Sequence, residues 1–271
     1  MQKVILITGA SAGIGLATGT LLMNEGAIVY GASRRGGTST KATTGNGQLI
    51  HVQLDINNEK EIELLVQKII KENKHLDTVI CNAGNGIAGA VEDSSIDEIR
   101  YQFETSYFGT LKTIQACLPI FRAQKKGQII TLSSVAGIIP IPFQAFYSSV
   151  KSALLVLMQA LSIEVKPLGI QCCIVLPGDT KTDFTAARIY TKNSLSNNSV
   201  YAERVKKAVG KMEVDEQNGV SPYVVAKAIS KQVYSKNMKS IVVPGLDYQF
   251  FCFLFKVLPT KTKLWIISKI Y

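Results

Sequence analysis

Apolar positions along the chain alternate between two kinds of run. One kind is short, unbroken and rich in β-branched residues: KVILITGA (3–10), AIVYGAS (27–33), LIHVQLDI (49–56), DTVICNAG (77–84), QIITLSS (128–134), IQCCIVLPG (170–178) and SIVVPG (240–245). Such runs predict strands buried on both faces. The other kind shows helical spacing. GIGLATGTLLMNEGA stops at Gly26, and NNEKEIELLVQKIIKEN opens on an asparagine cap. A long helix is predicted over 97–124, an apolar one over 148–165, and SPYVVAKAISKQVYSK has Ser221 as cap with Pro222 at the first helical position. About seven strands alternate with helices of crossover length. That predicts a doubly wound, Rossmann-type parallel sheet with helices on both faces, a three-layer α/β/α fold.

Between the strands and helices, TSTKATTGNG (38–47) reads as turn, and 178–220 is the longest stretch without a strong signal. A long segment after a strand's carboxyl end is a common place for a substrate lid. The expected organisation is one catalytic domain over 1–247, with this insert, and an apolar basic tail over 248–271.

Composition narrows the function classes. The 271 residues are 46% hydrophobic and 18% charged, enough for a sizeable core. The net charge is +10, but the lysines and arginines are scattered and no nucleic-acid-binding signature appears. The five cysteines (81, 117, 172, 173, 252) form no CxxC pair and read as reduced thiols of a cytoplasmic protein. His51 and His75 belong to no ligand cluster, so no metal is expected, and no GxSxG nucleophile elbow exists. The start lacks the features of a signal peptide, and no run is expected to reach the ~18 apolar residues of a membrane-spanning helix.

Two local patterns carry chemistry. TGASAGIG (8–15) lies between the first strand and the first helix. Glycine there lets backbone approach closely, and the helix start offers free N–H groups to a phosphate. In AFYSSVKSAL (145–154), Tyr147 precedes Lys151 by four residues, one helical turn. A nearby ammonium favours the phenolate and lowers a pKa that is otherwise about 10.

TGxxxGIG, NAG (82–84), YSSVK (147–151) and PGDTKT (177–182), in that order, resemble the short-chain dehydrogenase/reductase family over about residues 1–245. The resemblance implies an oxidoreductase that interconverts a carbonyl and a secondary alcohol by hydride transfer. Tyr147 would be its acid/base. Lys151 would bias that phenol and steady the cofactor ribose, and Ser134, thirteen residues before Tyr147, would orient the substrate oxygen. The family's usual Asn in the central helix is replaced by Ser106 in SYFG (106–109), which implies a weaker proton relay to the lysine. The implied cofactor-binding set is Gly9, Ser11, Gly13, Ile14 and Gly15 at the phosphates, Asp55 and Ile56 at the adenine, and Asn82, Ala83 and Gly84 beside them. Pro177, Gly178, Thr180 and Thr182 complete it at the nicotinamide, together with Tyr147 and Lys151. The second strand ends in Ser33, Arg34 and Arg35 where NAD-binding relatives carry an acid. A guanidinium forks onto a 2′-phosphate that a carboxylate would repel, so NADP(H) is expected in preference to NAD(H).

IIPIPFQAF (138–146) and the tail point to an apolar substrate of steroid, retinoid or long-chain ketone type. The tail either covers the pocket, makes a subunit contact, or lies in a membrane interface, where Pro259 divides it. The apolar 152–165 segment predicts a homodimer or homotetramer. The alternative reading is a non-catalytic NADP-binding sensor or scaffold whose turnover the Ser106 change has weakened.

Overall fold

The computed structural model describes residues 2–271. The strands are β1 (Val4–Thr8), β2 (Ile28–Ser33), β3 (Thr40–Lys41), β4 (Gln48–Gln53), β5 (Thr78–Cys81), β6 (Ile87–Ala88), β7 (Gly127–Leu132), β8 (Ile170–Val175), β9 (Ile189–Tyr190) and β10 (Ile241–Val242). The helices are α1 (Gly13–Asn24), α2 (Glu59–Asn73), α3 (Ile96–Phe103), α4 (Gly109–Gln124), α5 (Ala145–Val165), α6 (Ala202–Gln217), α7 (Pro222–Val233), α8 (Leu246–Val257) and α9 (Thr260–Ile270).

Eight strands form one sheet in the order β10-β8-β7-β5-β1-β2-β4-β3, parallel except for β3. This is the doubly wound α/β sheet the apolar runs predict, with one strand more than expected. The addition is β3, inside the turn-rich 38–47 segment, which pairs antiparallel with the edge of β4. Strand alternation sorts the core into two layers. Val4 and Leu6 of β1 pack with Leu65 and Ile69 of α2, Ile114 of α4, and Leu154 and Met158 of α5. Ile5 and Ile7 point the other way, toward Leu22 of α1 and Val225 and Ile229 of α7. The chain winds from β1 through β2 to β4 and then returns to β5 on the opposite side of β1. The crevice beyond the carboxyl ends of β1 and β5 is therefore a topological switch point, where such sheets bind ligands.

Three departures from the sequence expectations bear on the site. The 178–220 segment holds β9, which pairs with β6, and the sixteen-residue helix α6. The helical signal was present in Val205, Ala208, Val209 and Met212, all buried, but Gly210 and a polar surround mask it. The predicted 97–124 helix is interrupted by a π turn, Glu104–Phe108, between α3 and α4. Finally, α5 with its following turn, Ala145–Leu168, is long and apolar enough to cross a bilayer, contrary to the sequence estimate. It does not sit free: Val150, Leu154, Met158, Leu161 and Val165 pack into the core beside the sheet.

Candidate functional site

A cavity of about 730 Å³ opens at the switch point. Its wall contains every sequence-predicted site residue except Gly15 and Ser106.

The glycine turn is built to be approached. Gly9 has φ +72°, and a Cβ there would stand 2.7 Å from the Ala83 Cα. Gly13 has φ +54°. Both positions lie in the left-handed region that favours glycine. Gly15 lies behind the wall, where a side chain would run into the Gly9 carbonyl and the Asn82 amide. Asn82 Nδ2 donates to Thr8 O at 3.1 Å and Gly9 O at 2.9 Å, so β5 pins the turn that follows β1. The first turn of α1 has no side-chain cap and no acidic residue. Its N–H groups and positive dipole end suit a phosphate. The cradle therefore fits a dinucleotide.

At the end of β2, Ser33 is buried and Arg34 and Arg35 are exposed. Arg35 Nη2 donates to Ser11 Oγ at 3.2 Å, which lays this guanidinium against the glycine turn. Among the described residues, neither guanidinium meets a carboxylate. Asp55 does not cap α2; that is Asn58, which accepts from Glu61 N. Asp55 instead accepts from Asn57 N at 3.0 Å and lines the cavity beside Ile56.

Tyr147 occupies the first turn of α5, and Lys151 follows one turn later, its Nζ 5.6 Å from the Tyr147 ring centroid. Lys151 Nζ donates to Leu132 O at 3.0 Å, and Ser133 Oγ donates to Lys151 O at 2.6 Å. Ser133 thus ties α5 to the end of β7, a positioning function the sequence did not reveal. Ser134 Oγ accepts from Ala136 N at 3.1 Å and lies beside the Tyr147 hydroxyl. Burial pushes the Tyr147 phenol up to about 12; the Ser134 hydroxyl lowers it, the Glu216 carboxylate raises it and Arg188 lowers it. Burial drives Lys151 down to about 8. The sequence expectation was a phenol lowered by its ammonium neighbour. In the folded chain desolvation outweighs that attraction and penalises the charged form of both groups. At pH 7 the pair is a neutral phenol beside a charged amine.

Ser106 sits in the π turn, outside the cavity wall. Its Oγ donates to Asn85 Oδ1 at 2.8 Å and accepts from Gln102 Nε2 at 3.1 Å, while Thr110 Oγ1 donates to its carbonyl. Ser106 Oγ and Lys151 Nζ flank Gly84 from different elements. Gln102 is wholly buried, and it also accepts from Ile87 N and donates to Asn85 O. It joins the central helix to the loop after β5, and no local motif marks it.

The other side of the cavity comes from the 178–220 insert, which the tail backs from behind through Tyr248. The Arg188 side chain is 1% exposed and forms ion pairs with Glu216 and, at 3.8 Å, with Glu213. Glu216 also accepts from Thr185 Oγ1 at 2.6 Å. These bonds fasten α6 to the segment before β9. Phe184 closes on Tyr147 with ring centroids 5.7 Å apart. Tyr248 of α8 donates to Asp179 Oδ2 at 2.5 Å, and its ring packs against Gly178. Asp179, raised by burial, lines the cavity together with Glu216. Among the described residues no group of three His, Cys, Asp or Glu side chains is placed to hold a metal ion.

Comparison with known proteins agrees with this geometry. The family model described as short chain dehydrogenase matches residues 3–193. A 3-ketodihydrosphingosine reductase of Bacteroides thetaiotaomicron is 36% identical over 97% of this chain and 93% of its own length. A probable short-chain type dehydrogenase/reductase of Helicobacter pylori is 32% identical over 94% of this chain and 93% of that one. Among solved structures, a short-chain dehydrogenase from Streptomyces avermitilis superposes with TM-score 0.80 at 27% identity, covering 99% of this chain and 97% of the other.

Proposed function

The chain belongs to the short-chain dehydrogenase/reductase family, and on that premise we propose that it reduces the ketone of a long-chain, lipid-like substrate with NADPH. The observation that carries this reading is one cavity holding Ser134, Tyr147 and Lys151 together with the glycine turn and two exposed arginines. Gly9, Ser11, Gly13 and Ile14 would hold the pyrophosphate at the start of α1, with Gly15 giving the turn its tightness. Arg34 and Arg35 would take the 2′-phosphate, next to the buried Ser33. Asp55 and Ile56 border the adenine. Asn82, Ala83 and Gly84 would support the sheet and border the cofactor, and Pro177, Gly178, Thr180 and Thr182 would flank the nicotinamide. Hydride to the carbonyl carbon is the chemistry the nicotinamide supplies when bound.

The chain's own residues handle the proton. Tyr147, protonated at pH 7 because burial holds it near 12, donates its hydroxyl proton to the carbonyl oxygen as negative charge develops there. Ser134 donates a hydrogen bond to the same oxygen. The Lys151 ammonium stabilises the phenolate left behind. In the alcohol-oxidising direction Tyr147 takes the proton back. Ser106 acts through Asn85 and Gln102, holding the loop after β5 rather than touching substrate.

The name of the 36%-identical relative supports a substrate of the 3-ketodihydrosphingosine type, a long-chain ketone with an ammonium on the adjacent carbon. Asp179 and Glu216 line the cavity, and both charges reach Tyr147 and raise it. A substrate ammonium among them offsets that effect and makes the phenol a better acid. Asp179→Asn is expected to lower kcat/KM for a long-chain 2-amino-3-ketone ~10- to 100-fold, the range of one charge-assisted hydrogen bond, and to change a neutral ketone of equal length by less than about threefold. Equal losses on both substrates would remove the amine from the reading. Arg34→Ala/Arg35→Ala is expected to raise the NADPH KM ~10- to 100-fold and leave NADH within about threefold; an unchanged NADPH KM refutes the cofactor assignment.

A ketone panel run with NADPH and NADH in parallel tests the function itself. Cofactor binding without turnover on any ketone would favour the sensor or scaffold alternative. The same reading includes a catalytic unit over 1–247 whose 178–220 insert is the substrate lid. It also includes a homodimer or homotetramer formed through α5, where Val156 and Ile163 stand exposed seven residues apart. Five free, buried cysteines support a cytoplasmic setting.

A further inference from the structure

Helix α8 is apolar on two faces. One face holds it to the body: Cys252 and Phe255 are buried, and Tyr248 bonds Asp179. The other face carries Leu246, Phe250, Phe253 and Val257, at i, i+4, i+7 and i+11, exposed by 81%, 62%, 63% and 61%. These positions form one stripe along a helix. In α9, Ile267 is buried while Leu264, Trp265 and Ile270 are exposed. Lys256, Lys261, Lys263 and Lys269 accompany this apolar surface, and between 246 and 271 the only acidic side chain is Asp247. Large exposed apolar side chains with flanking lysines and a tryptophan are the composition of a helix that lies in a membrane interface.

We propose that the α8–α9 segment docks this protein on an anionic lipid bilayer, with the Leu246–Phe250–Phe253–Val257 stripe among the acyl chains and the lysines at the headgroups. Charge decides between the candidate occupants. A second copy seated on the same face by two-fold symmetry would bring two sets of lysines together. An anionic headgroup layer offsets each lysine, at about 1 kcal/mol apiece near the surface. The docked helix also backs the cavity wall, since Tyr248 packs on Gly178 and bonds Asp179, two residues of that wall. Docking therefore sets the substrate end of the cavity next to the layer in which a lipid ketone dissolves. That consequence rests on the proposed substrate class; the docking itself rests on the exposed stripe and its charges.

The test is co-sedimentation of the full chain with two kinds of vesicle, phosphatidylcholine alone and phosphatidylcholine containing phosphatidylglycerol. Binding is expected on the second and at least ~10-fold weaker on the first. Phe250→Ser/Phe253→Ser is expected to weaken vesicle binding ~100-fold or more. It should keep the wild-type melting temperature and the wild-type rate on a short, water-soluble ketone. Lys261→Gln/Lys263→Gln should lose the preference for phosphatidylglycerol. Wild-type protein that ignores anionic vesicles overturns the proposal, as does a Phe250→Ser/Phe253→Ser protein that binds them as well as wild type. A wild-type dimer that the serine variant converts to monomer, with no vesicle binding, assigns the face to a second copy and also overturns it. The soluble-ketone rate reports on the catalytic reading separately, so the two fail independently.

Discussion

Tyr147→Phe protein is expected to bind NADPH within about threefold of wild type and to reduce ketones at least ~1,000-fold more slowly. The substitution removes one oxygen and leaves the ring that packs 5.7 Å from Phe184, so the cavity keeps its shape. What it removes is the only group in the proposed mechanism that carries a proton to the carbonyl oxygen. General acid catalysis by a positioned side chain contributes ~10²- to 10⁴-fold, and the middle of that range applies to a group aimed directly at the reacting oxygen. Ser134 does not replace the phenol. Its hydroxyl is a far weaker acid, and its proton is already directed at Pro177 O, 3.4 Å away. The split between binding and rate decides the matter, measured by nicotinamide fluorescence and by absorbance of the reduced cofactor. Turnover within tenfold of wild type would show that Tyr147 is not the acid. Loss of NADPH binding in step with the rate would show that the side chain holds the cofactor rather than the proton.

What the sequence made legible was local. The glycine turn and the Tyr147–Lys151 spacing depend on a few consecutive residues whose backbone geometry follows from residue type. The parallel sheet was legible because each run of β-branched residues is long enough to declare its burial. The unread parts depend on distance in the chain. Gln102 meets Asn85, seventeen residues earlier in the loop after β5, only once the chain has folded back. Arg188 finds Glu216 through the folding of the insert, twenty-eight residues apart. The signs of the pKa shifts were unreadable for the same reason. Spacing places the ammonium near the phenol, but the dominant cause at both groups is the burial supplied by the rest of the fold. Helix α6 was missed for a different reason, since its buried stripe is only four residues and Gly210 sits within it.

Lys151→Met is expected to raise the melting temperature of the protein while removing most of its activity. Holding the ammonium in the core lowers its pKa from 10.5 to about 8, a penalty on the order of 3 kcal/mol at pH 7. Methionine fills similar space without that penalty, but Leu132 O loses its donor, which costs about 1–2 kcal/mol. The net gain is ~1–2 kcal/mol, or about 2–4 °C for a chain of this size. The sign of the pH dependence is fixed by the direction of the shift. Between pH 8 and 10.5 the unfolded lysine holds its proton and the folded one has lost it. Over that window the unfolded state binds more protons, so the wild-type stability contribution of this group rises with pH. The gain from Lys151→Met is therefore largest below pH 8 and fades toward pH 10.5. Catalysis runs the other way. The phenolate formed at Tyr147 needs the charged amine, so wild-type ketone reduction should hold steady up to about pH 8 and then fall up to tenfold per unit as Lys151 deprotonates. The variant should be slow at every pH and lack that break. A destabilised Lys151→Met protein, or a wild-type rate that stays level through pH 10, would show that Lys151 carries no buried charge in the working enzyme.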